Sequence, residues 1–591
     1  MDRQAWIAVT LCVLGLIGWQ YYMVSHAPPP PSPAAQQLAT SPAPEAAATA
    51  SATAAPAAPA VASADNAAAS TPVEAAPEFE EKIETLRNGD VELRLTNRGG
   101  GIREADLLNH RAPDGKGDVI LNSAERLPIG AIVEQPNTPA LPEFQFARQA
   151  DGSVQFERTT PQGLTIRKRF SLPQNSKPED NFAGEMEVEF RNDGPQPHNQ
   201  PPYFVALGGA APMLVSAYPI DTRLVWLIDG GPKSIDVNWF PVQTYPVIGT
   251  EKRAAQSFFR EAANGADWAG VSTQFFTTLI TPLSAKAVEI WSRPFDAKLP
   301  GGQTVLGLEG AMGMPGFQVQ PGQSNTLRFQ IYSGPKLYGR LAKLQHDEAE
   351  IMNFSSFTIL KVISEALLNF MNLLHSYVRD YGVAIVLLTV CVKAVLWPLQ
   401  NKANRSMQRM SLLSPKMQEL REKHKDDPTR MNQEVMKLYK EHGVNPVGGC
   451  LPMMIQIPIF FGLFNMLGQV AELRNATFLW VNDLSQPDEI FRIPGIDFPV
   501  NLLPLLMGAT NVWLMQMTPK TGDAMQRRVL MFMPIIFLVF CYNFAAALAL
   551  YYTTQNLLTI LQLWVNKRQP LPALEPPAAA PTKKSRKGQR R

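Results

Sequence analysis

Apolar residues gather at the two ends of the chain and alternate with polar ones between them. Ala5–Val24 (AWIAVTLCVLGLIGWQYYMV) is an almost unbroken apolar run, and about 20 such residues suffice to cross a bilayer. Trp6 at one end and Trp19, Tyr21 and Tyr22 at the other suit interfacial aromatic belts. The run predicts an uncleaved anchor within residues 1–26. A cleaved signal peptide has a shorter apolar core ending in a small-residue site. Residues 27–78 are mostly Ala, Pro, Ser and Thr; they lack the side chains for a core and predict a disordered tether.

From residue 79 to 345 the period is two. Val91, Leu93 and Leu95 alternate with polar residues, as do Leu164 and Ile166, Met186, Val188 and Phe190, and Leu327, Phe329 and Ile331. Gly, Pro, Asn and Asp clusters separate such runs, which predicts an all-β antiparallel sandwich. His110 and His198, the histidines of this region, read as solvated loop residues. No nucleophile, metal or phosphate-loop signature accompanies them, so no cofactor or metal is expected.

The period changes to 3.6 over 354–377. Phe357, Leu360, Ile363, Leu367, Met371 and Leu374 fall on one side, and Thr358, Lys361, Glu365, Asn369, Asn372 and Ser376 on the other. This predicts an amphipathic helix lying in the membrane interface, with packing on the soluble domain as the alternative. Five further apolar segments follow, at 381–399, 448–470, 499–516, 529–544 and 546–565, making six predicted spans. Pro452, Pro458, Pro504 and Pro534 interrupt them, which is tolerated where neighbours or water satisfy the freed carbonyls. In the polar segment 400–445, Ser414-Pro415 and Asp427-Pro428 each set a capping residue before a proline, a helix-start signal. They predict a helical hairpin turning at Asp426–Pro428. The fold class is a mixed membrane protein: a bundle of six transmembrane helices, an all-β domain and a cytoplasmic helical hairpin.

Charge orients this arrangement. The net charge of +2 hides basic stretches at 400–445, at Lys520, Arg527 and Arg528 within the loop 517–528, and in the tail 566–591, which ends KKSRKGQRR. The loop 471–498 is acidic by comparison. Positive-inside logic places the basic segments and both termini in the cytoplasm and the strand-rich domain outside, in the periplasm. Cys12, Cys391, Cys450 and Cys541 all lie in or beside apolar segments, against a disulfide framework or a cysteine zinc site.

The chemistry-bearing residues stand inside the spans. Lys393 is the one full charge in YGVAIVLLTVCVKAVLWPL, 381–399. A lysine at a span centre costs about 2.5–3.5 kcal/mol and marks function by default. Trp397 and Pro398 follow closely, so snorkelling to the interface is the plainer alternative. Thr389 lies one turn earlier, Gln456 and Asn511 interrupt two other spans, and Tyr552, Gln555, Asn556 and Thr559 recur at i, i+3, i+4, i+7. Such polar groups face a wet interior or bond neighbouring helices at about 0.6 kcal/mol each. Asp, Glu and His are absent from the middles of these spans, which weakens a proton relay or ion-coupled transporter and leaves Lys393 in need of water or an outside partner. On the basic segment, Met407, Met410, Met417 and Met431 suit either packing within the hairpin or adaptable contact with another molecule. Arg409, Arg421 and Lys423 suit anionic headgroups or ribosomal RNA.

Three stretches carry a family resemblance: VKAVLWPLQNKANRSMQRMSLLSPKMQELREKHKDD, MKLYKEHGVNPVGGCLPMMIQIPIFFGLF and LALYYTTQNLLTILQ. Together they resemble the YidC/Oxa/Alb family of membrane-protein insertases, strongly over 350–568; the anchor and large outer domain match the type found in bacteria with two membranes. The resemblance implies a non-enzymatic insertase and chaperone, acting alone or with the Sec translocon (SecYEG and accessory SecDF), with nascent membrane proteins and membrane lipids as partners, the ribosome as a candidate partner, and no DNA. It implies five core helices around a hydrophilic groove open to cytoplasm and lipid and closed toward the periplasm. Lys393 aligns with the groove cation, arginine in many relatives; lysine keeps the charge and loses the planar fork. Thr389, Gln456, Tyr551 and Tyr552 fall on groove or substrate-contact positions. The amphipathic helix matches 355–377 and the hairpin 400–442. The outer domain is similar to a β-supersandwich akin to sugar-mutarotase folds, a kinship that carries no activity with it.

Overall fold

A computed structural model describes residues 79–568, apart from 114, 124, 137–139, 174–180, 215–216, 245–249, 353, 355–356, 425–426, 443, 445–450, 496–497 and 519–523. The expected anchor, tether and distal tail lie outside the described residues, as does the N-P-V-G-G-C stretch.

Strands fill residues 83–335, and their ladders are antiparallel. The strand Ala183–Asn192 shows why. Met186, Val188 and Phe190 are buried while Glu185, Glu187 and Glu189 lie on the other side, the two-residue alternation of a half-buried sheet. Met186 stands opposite Phe329 on one neighbour and Phe170 on the other. A nine-stranded sheet faces a five-stranded one, and a four-stranded sheet, Ile83–Leu121, accompanies them. The two larger sheets meet closely at Gly310, where a Cβ would come within 2.7 Å of the Leu224 side chain. This is the β-sandwich that the alternation predicts.

Neither histidine is a solvated loop residue. His110 lies in the strand Gly101–Arg111, its ring edge-on to Phe276 at 5.5 Å. Burial, then Arg474 and Arg340, push its pKa down to about 4. His198 lies in a short strand paired to Phe317–Val319.

The helical region comprises α1 (Thr358–Val378), α2 (Tyr381–Lys423), α3 (Pro428–Glu441), α4 (Leu451–Leu467), α5 (Leu502–Met517), α6 (Ala524–Cys541) and α7 (Ala546–Lys567). Ser364, Leu368 and Met371 are the buried residues of α1, and the Ser364 hydroxyl donates to the Gly462 carbonyl of α4 at 3.0 Å. Part of its polar side turns to the sandwich: Lys361 pairs with Glu350 and Glu365 meets Tyr338, both on the segment leaving the sandwich, while Thr358, Asn369 and Ser376 are exposed. Ile359, Val362, Leu373 and Tyr377 are exposed as well.

Helix α2 corrects the hairpin reading. It runs unbroken for 43 residues with Pro398 and Pro415 inside it, so Ser414-Pro415 starts no helix. A proline here forfeits one backbone bond, but Leu413 and Met417 on either side bury against Tyr439 and Val444, which holds the helix together. The other signal holds: Asp427 accepts from the Arg430 N–H at 3.0 Å and Pro428 opens α3. Among the described residues one helix, Tyr381–Leu420, is long and apolar enough to cross a membrane; Met454–Leu467, Leu502–Met517 and Phe532–Cys541 are shorter apolar helices.

Sandwich and helices are joined largely through the 468–474 segment. Gln274 donates to Gly468 O at 2.8 Å, Arg223 reaches Gln469 and the carbonyls of Ile351 and Met352, and Arg474 donates to Arg111 O at 2.7 Å. Between them sits Glu472, with one carboxyl oxygen shut off from solvent. Burial pushes its pKa up to about 7, against opposing hydrogen bonds, including that from Asn372, and the more distant Arg340.

Candidate functional site

Helices α2, α4 and α7 bring most of the polar span residues together. Asp380 caps α2, its side chain accepting from Val383 N–H at 2.9 Å, and three turns later Lys393 points into the bundle with 2% of its surface exposed. Its ammonium donates to Thr559 Oγ1 of α7 at 2.8 Å and to Gln400 Oε1 of its own helix. Neither acceptor carries charge, and among the described residues no carboxylate pairs with it. Hydrogen bonds to a charged group are worth about 1.5–3 kcal/mol; they hold the ammonium without neutralising it. Beside Gln400 is a narrow crevice lined by Leu396, Leu399 and Ile455. Lys393 therefore does not snorkel to an exposed surface of the bundle.

The network continues through α7. Thr559 donates back to Gln555 O at 2.7 Å; Gln555 donates to Gln456 Oε1 at 3.4 Å; Gln456 donates to the Tyr551 hydroxyl at 3.3 Å. Gln555 Oε1, Gln562 Oε1 and Thr553 Oγ1 are buried with no partner among the described residues. These groups have donors or acceptors left for water or a guest chain.

Not every predicted residue joins. Thr389 is fully buried and spends its hydroxyl on Ile385 O at 2.7 Å. Asn556 turns away, donating to Thr510 Oγ1 at 3.1 Å and toward Met507 O on α5. The expected stripe is thus two faces: Gln555 and Thr559 line the Lys393 side, while Asn556 bonds α5. Tyr552 packs its ring on Phe460 and Phe537 and turns its hydroxyl toward Gln456, at the edge of the network. Asn511 is half-buried in α5, and its side chain takes no part in the network among the described residues. In the hairpin, Met417 is buried and accepts from the Tyr439 hydroxyl at 3.0 Å, and Met410 packs on the same cluster. Both serve the hairpin's own packing. Met407, Arg409 and Met431 are half-buried and Lys423 is exposed; the Arg421 side chain lies outside the described residues.

Sequence reasoning missed a second group one turn further on. Gln562 donates to Asn401 Oδ1 at 2.8 Å, and Asn566 to the same oxygen at 2.9 Å. The signal was available: Gln555, Thr559, Gln562 and Asn566 continue at i, i+4, i+7, i+11, one face of a helix.

Comparisons with known proteins agree with this architecture. Residues 84–365 match the YidC periplasmic domain family, and residues 373–572 match the 60Kd inner membrane protein family. The membrane protein insertase YidC of Pelobacter propionicus is 30% identical over 527 residues, 85% of this chain and 89% of that one. That of Syntrophobacter fumaroxidans is 38% identical over 307 residues, 51% of this chain and 53% of its own length. A crystal structure of an active YidC insertase with its first transmembrane domain resolved is 17% identical, covers 83% of this chain and 94% of that chain, and has a TM-score of 0.34. The chain is thus an inner-membrane protein with a periplasmic domain, and it belongs to the YidC family of membrane protein insertases.

Proposed function

We propose that this chain inserts nascent membrane proteins through the polar seam between α2, α4 and α7, with Lys393 as its attracting charge. The observation that carries the reading is the ammonium held by two neutral oxygens and, among the described residues, no acid. A carboxylate on an incoming segment offers it a stronger partner than Gln400 does. Water and guest polar groups entering the seam complete the unpartnered amide oxygens and shorten the low-dielectric path across the membrane. The guest's apolar segment then leaves into lipid, driven by burial of its side chains. Six spans, with both termini and the α2–α3 hairpin in the cytoplasm, place the seam's basic end inside. The groove opens to cytoplasm and lipid. The Sec translocon is the partner for larger clients, and the exposed basic face of the hairpin is where clients or a ribosome make contact. The step makes and breaks no covalent bond.

Depletion and complementation test this. Lys393→Arg is expected to restore insertion, and Lys393→Ala to lose clients with acidic translocated tails while sparing neutral ones. Normal insertion of acidic-tailed clients by Lys393→Ala removes the charge from the mechanism.

A further inference from the structure

The segment between α4 and α5 folds into a hairpin that the seam does not use. Glu489–Ile493 pairs antiparallel with Phe498–Asn501, and these two strands form a sheet of their own. Every residue of the first strand is exposed. Ile490, Phe491, Ile493 and Phe498 present apolar surface, Phe491 with 56% exposure, and Leu479 (76%) and Trp480 extend the patch. A two-stranded hairpin is marginal in water, and one that exposes large apolar side chains on both of its faces is a candidate interaction site.

We propose that this hairpin is seated in the interfacial layer of the periplasmic lipid leaflet, at the outer end of the short α5; the proposal rests on the membrane-spanning reading above. Three observations commit the surface to lipid. First, the hairpin is joined directly to α5: Phe498–Asn501 runs into Leu502 without a break, and Leu505, Leu506, Val512 and Trp513 of that helix are themselves exposed apolar residues. Second, α5 has 16 residues, about 24 Å at 1.5 Å per residue, against a hydrocarbon core of about 30 Å. A span this short draws the headgroup boundary in toward its ends, which brings the strand that continues it, Phe498–Asn501, to that boundary rather than into the hydrocarbon. Third, the hairpin is held at a fixed height. Asp488 accepts from both the Trp480 indole N–H at 3.1 Å and the Leu503 N–H at 2.7 Å, so it ties the patch to the first turn of α5. Tyr542, just past α6, donates to Pro499 O at 2.7 Å and stacks on Phe498. Open strand edges are not tolerated in the hydrocarbon itself, and Glu489 and Arg492 form an ion pair on the hairpin. Both facts set its depth at the headgroup boundary, where aromatic residues are favoured.

Spin labels read this depth in the full chain, reconstituted in nanodiscs of phosphatidylethanolamine and phosphatidylglycerol, with the four native cysteines replaced by alanine. Single cysteines go in at Phe491→Cys, at Trp513→Cys on the α5 face, and at Ser324→Cys, exposed at the start of the strand Ser324–Pro335, whose other end leads to the helices. Position 491 is expected to show a severalfold higher ratio of oxygen to nickel-chelate collision than position 324, approaching position 513. A ratio at 491 equal to that at 324 overturns the proposal, as does shielding from both reagents, the mark of a protein partner or a second copy. Nickel access at 513 instead removes the membrane-spanning reading beneath it. Where the cysteine-free chain fails to fold, Phe491→Trp in the native background, with brominated lipids, gives the same answer: added fluorescence quenched by the lipid supports the seating, and added fluorescence left unquenched overturns it.

Discussion

A lysine enclosed by apolar helices is more costly to keep than to replace, unless something uses it. Burying a charge costs a lot unless it is paired, and an apolar side chain of similar length in place of Lys393 removes that cost. Lys393→Met is therefore expected to leave the detergent unfolding midpoint unchanged or raised while insertion of acidic-tailed clients falls. Thr559→Val does the reverse: it keeps the charge and deletes one of its two acceptors, at about 1–3 kcal/mol for the unsatisfied group. A midpoint drop in Lys393→Met matching that of Thr559→Val would mark the lysine as structural. The charge itself was legible in the sequence because a lone lysine in an apolar run has no local explanation. Its partners were not: Thr559 lies 166 residues away, and only the packing of α2 on α7 brings them together. His110 was misread for a related reason, since a polar residue at a strand end is solvated or buried according to what packs over it, here the 471–474 segment.

Elements were legible where one period dominated. The sandwich strands alternate cleanly, and α7 kept its 3.6-residue stripe, although packing split that stripe between α4 and α5 neighbours. The hairpin failed at Pro415 because a local start signal competed with burial on both sides of it. That burial makes a prediction. Met417→Ala removes a side chain from the cluster of Leu413, Tyr439 and Val444, at about 2–5 kcal/mol, so hydrogen exchange across 428–441 should accelerate markedly. Met431→Ala, half-buried and outside that cluster, should change it little. A second prediction concerns how α2 meets the 471–484 segment. A Cβ on Gly382 would lie 2.2 Å from the Phe478 ring, and overpacking typically costs about 1–3 kcal/mol. Gly382→Ala should therefore lower the unfolding midpoint, and adding Phe478→Leu should restore most of the loss. Failure of that rescue would mean the glycine serves the helix start rather than the contact.

At the scale of the whole molecule, segregation of apolar and alternating sequence gave away the division into sandwich and helices, but not how rigidly they join. The joint holds two titrating groups with opposite displacements. Glu472 is raised from 4.5 to about 7, chiefly by burial. Its folded form holds the proton longer than the unfolded one, so its contribution to stability is full below pH 4.5 and is lost as pH rises through 7. His110 is lowered from 6.5 to about 4 by burial, Arg474 and Arg340. Its contribution is full above pH 6.5 and is lost as pH falls through 4. Between pH 4.5 and 6.5 the two slopes oppose each other, each about 1.4 kcal/mol per pH unit at most. The joint of the native chain should therefore hold nearly constant strength across that window. Glu472→Gln should unmask the histidine, with protection rising as pH increases from 4 to 6.5 and level above it. His110→Phe, which keeps an aromatic ring against Phe276, should unmask the carboxyl, with protection falling from pH 4.5 to 7. Hydrogen exchange of residues 468–476, corrected for intrinsic rates, reads both; parallel pH profiles in the two variants would show that these groups do not govern the joint.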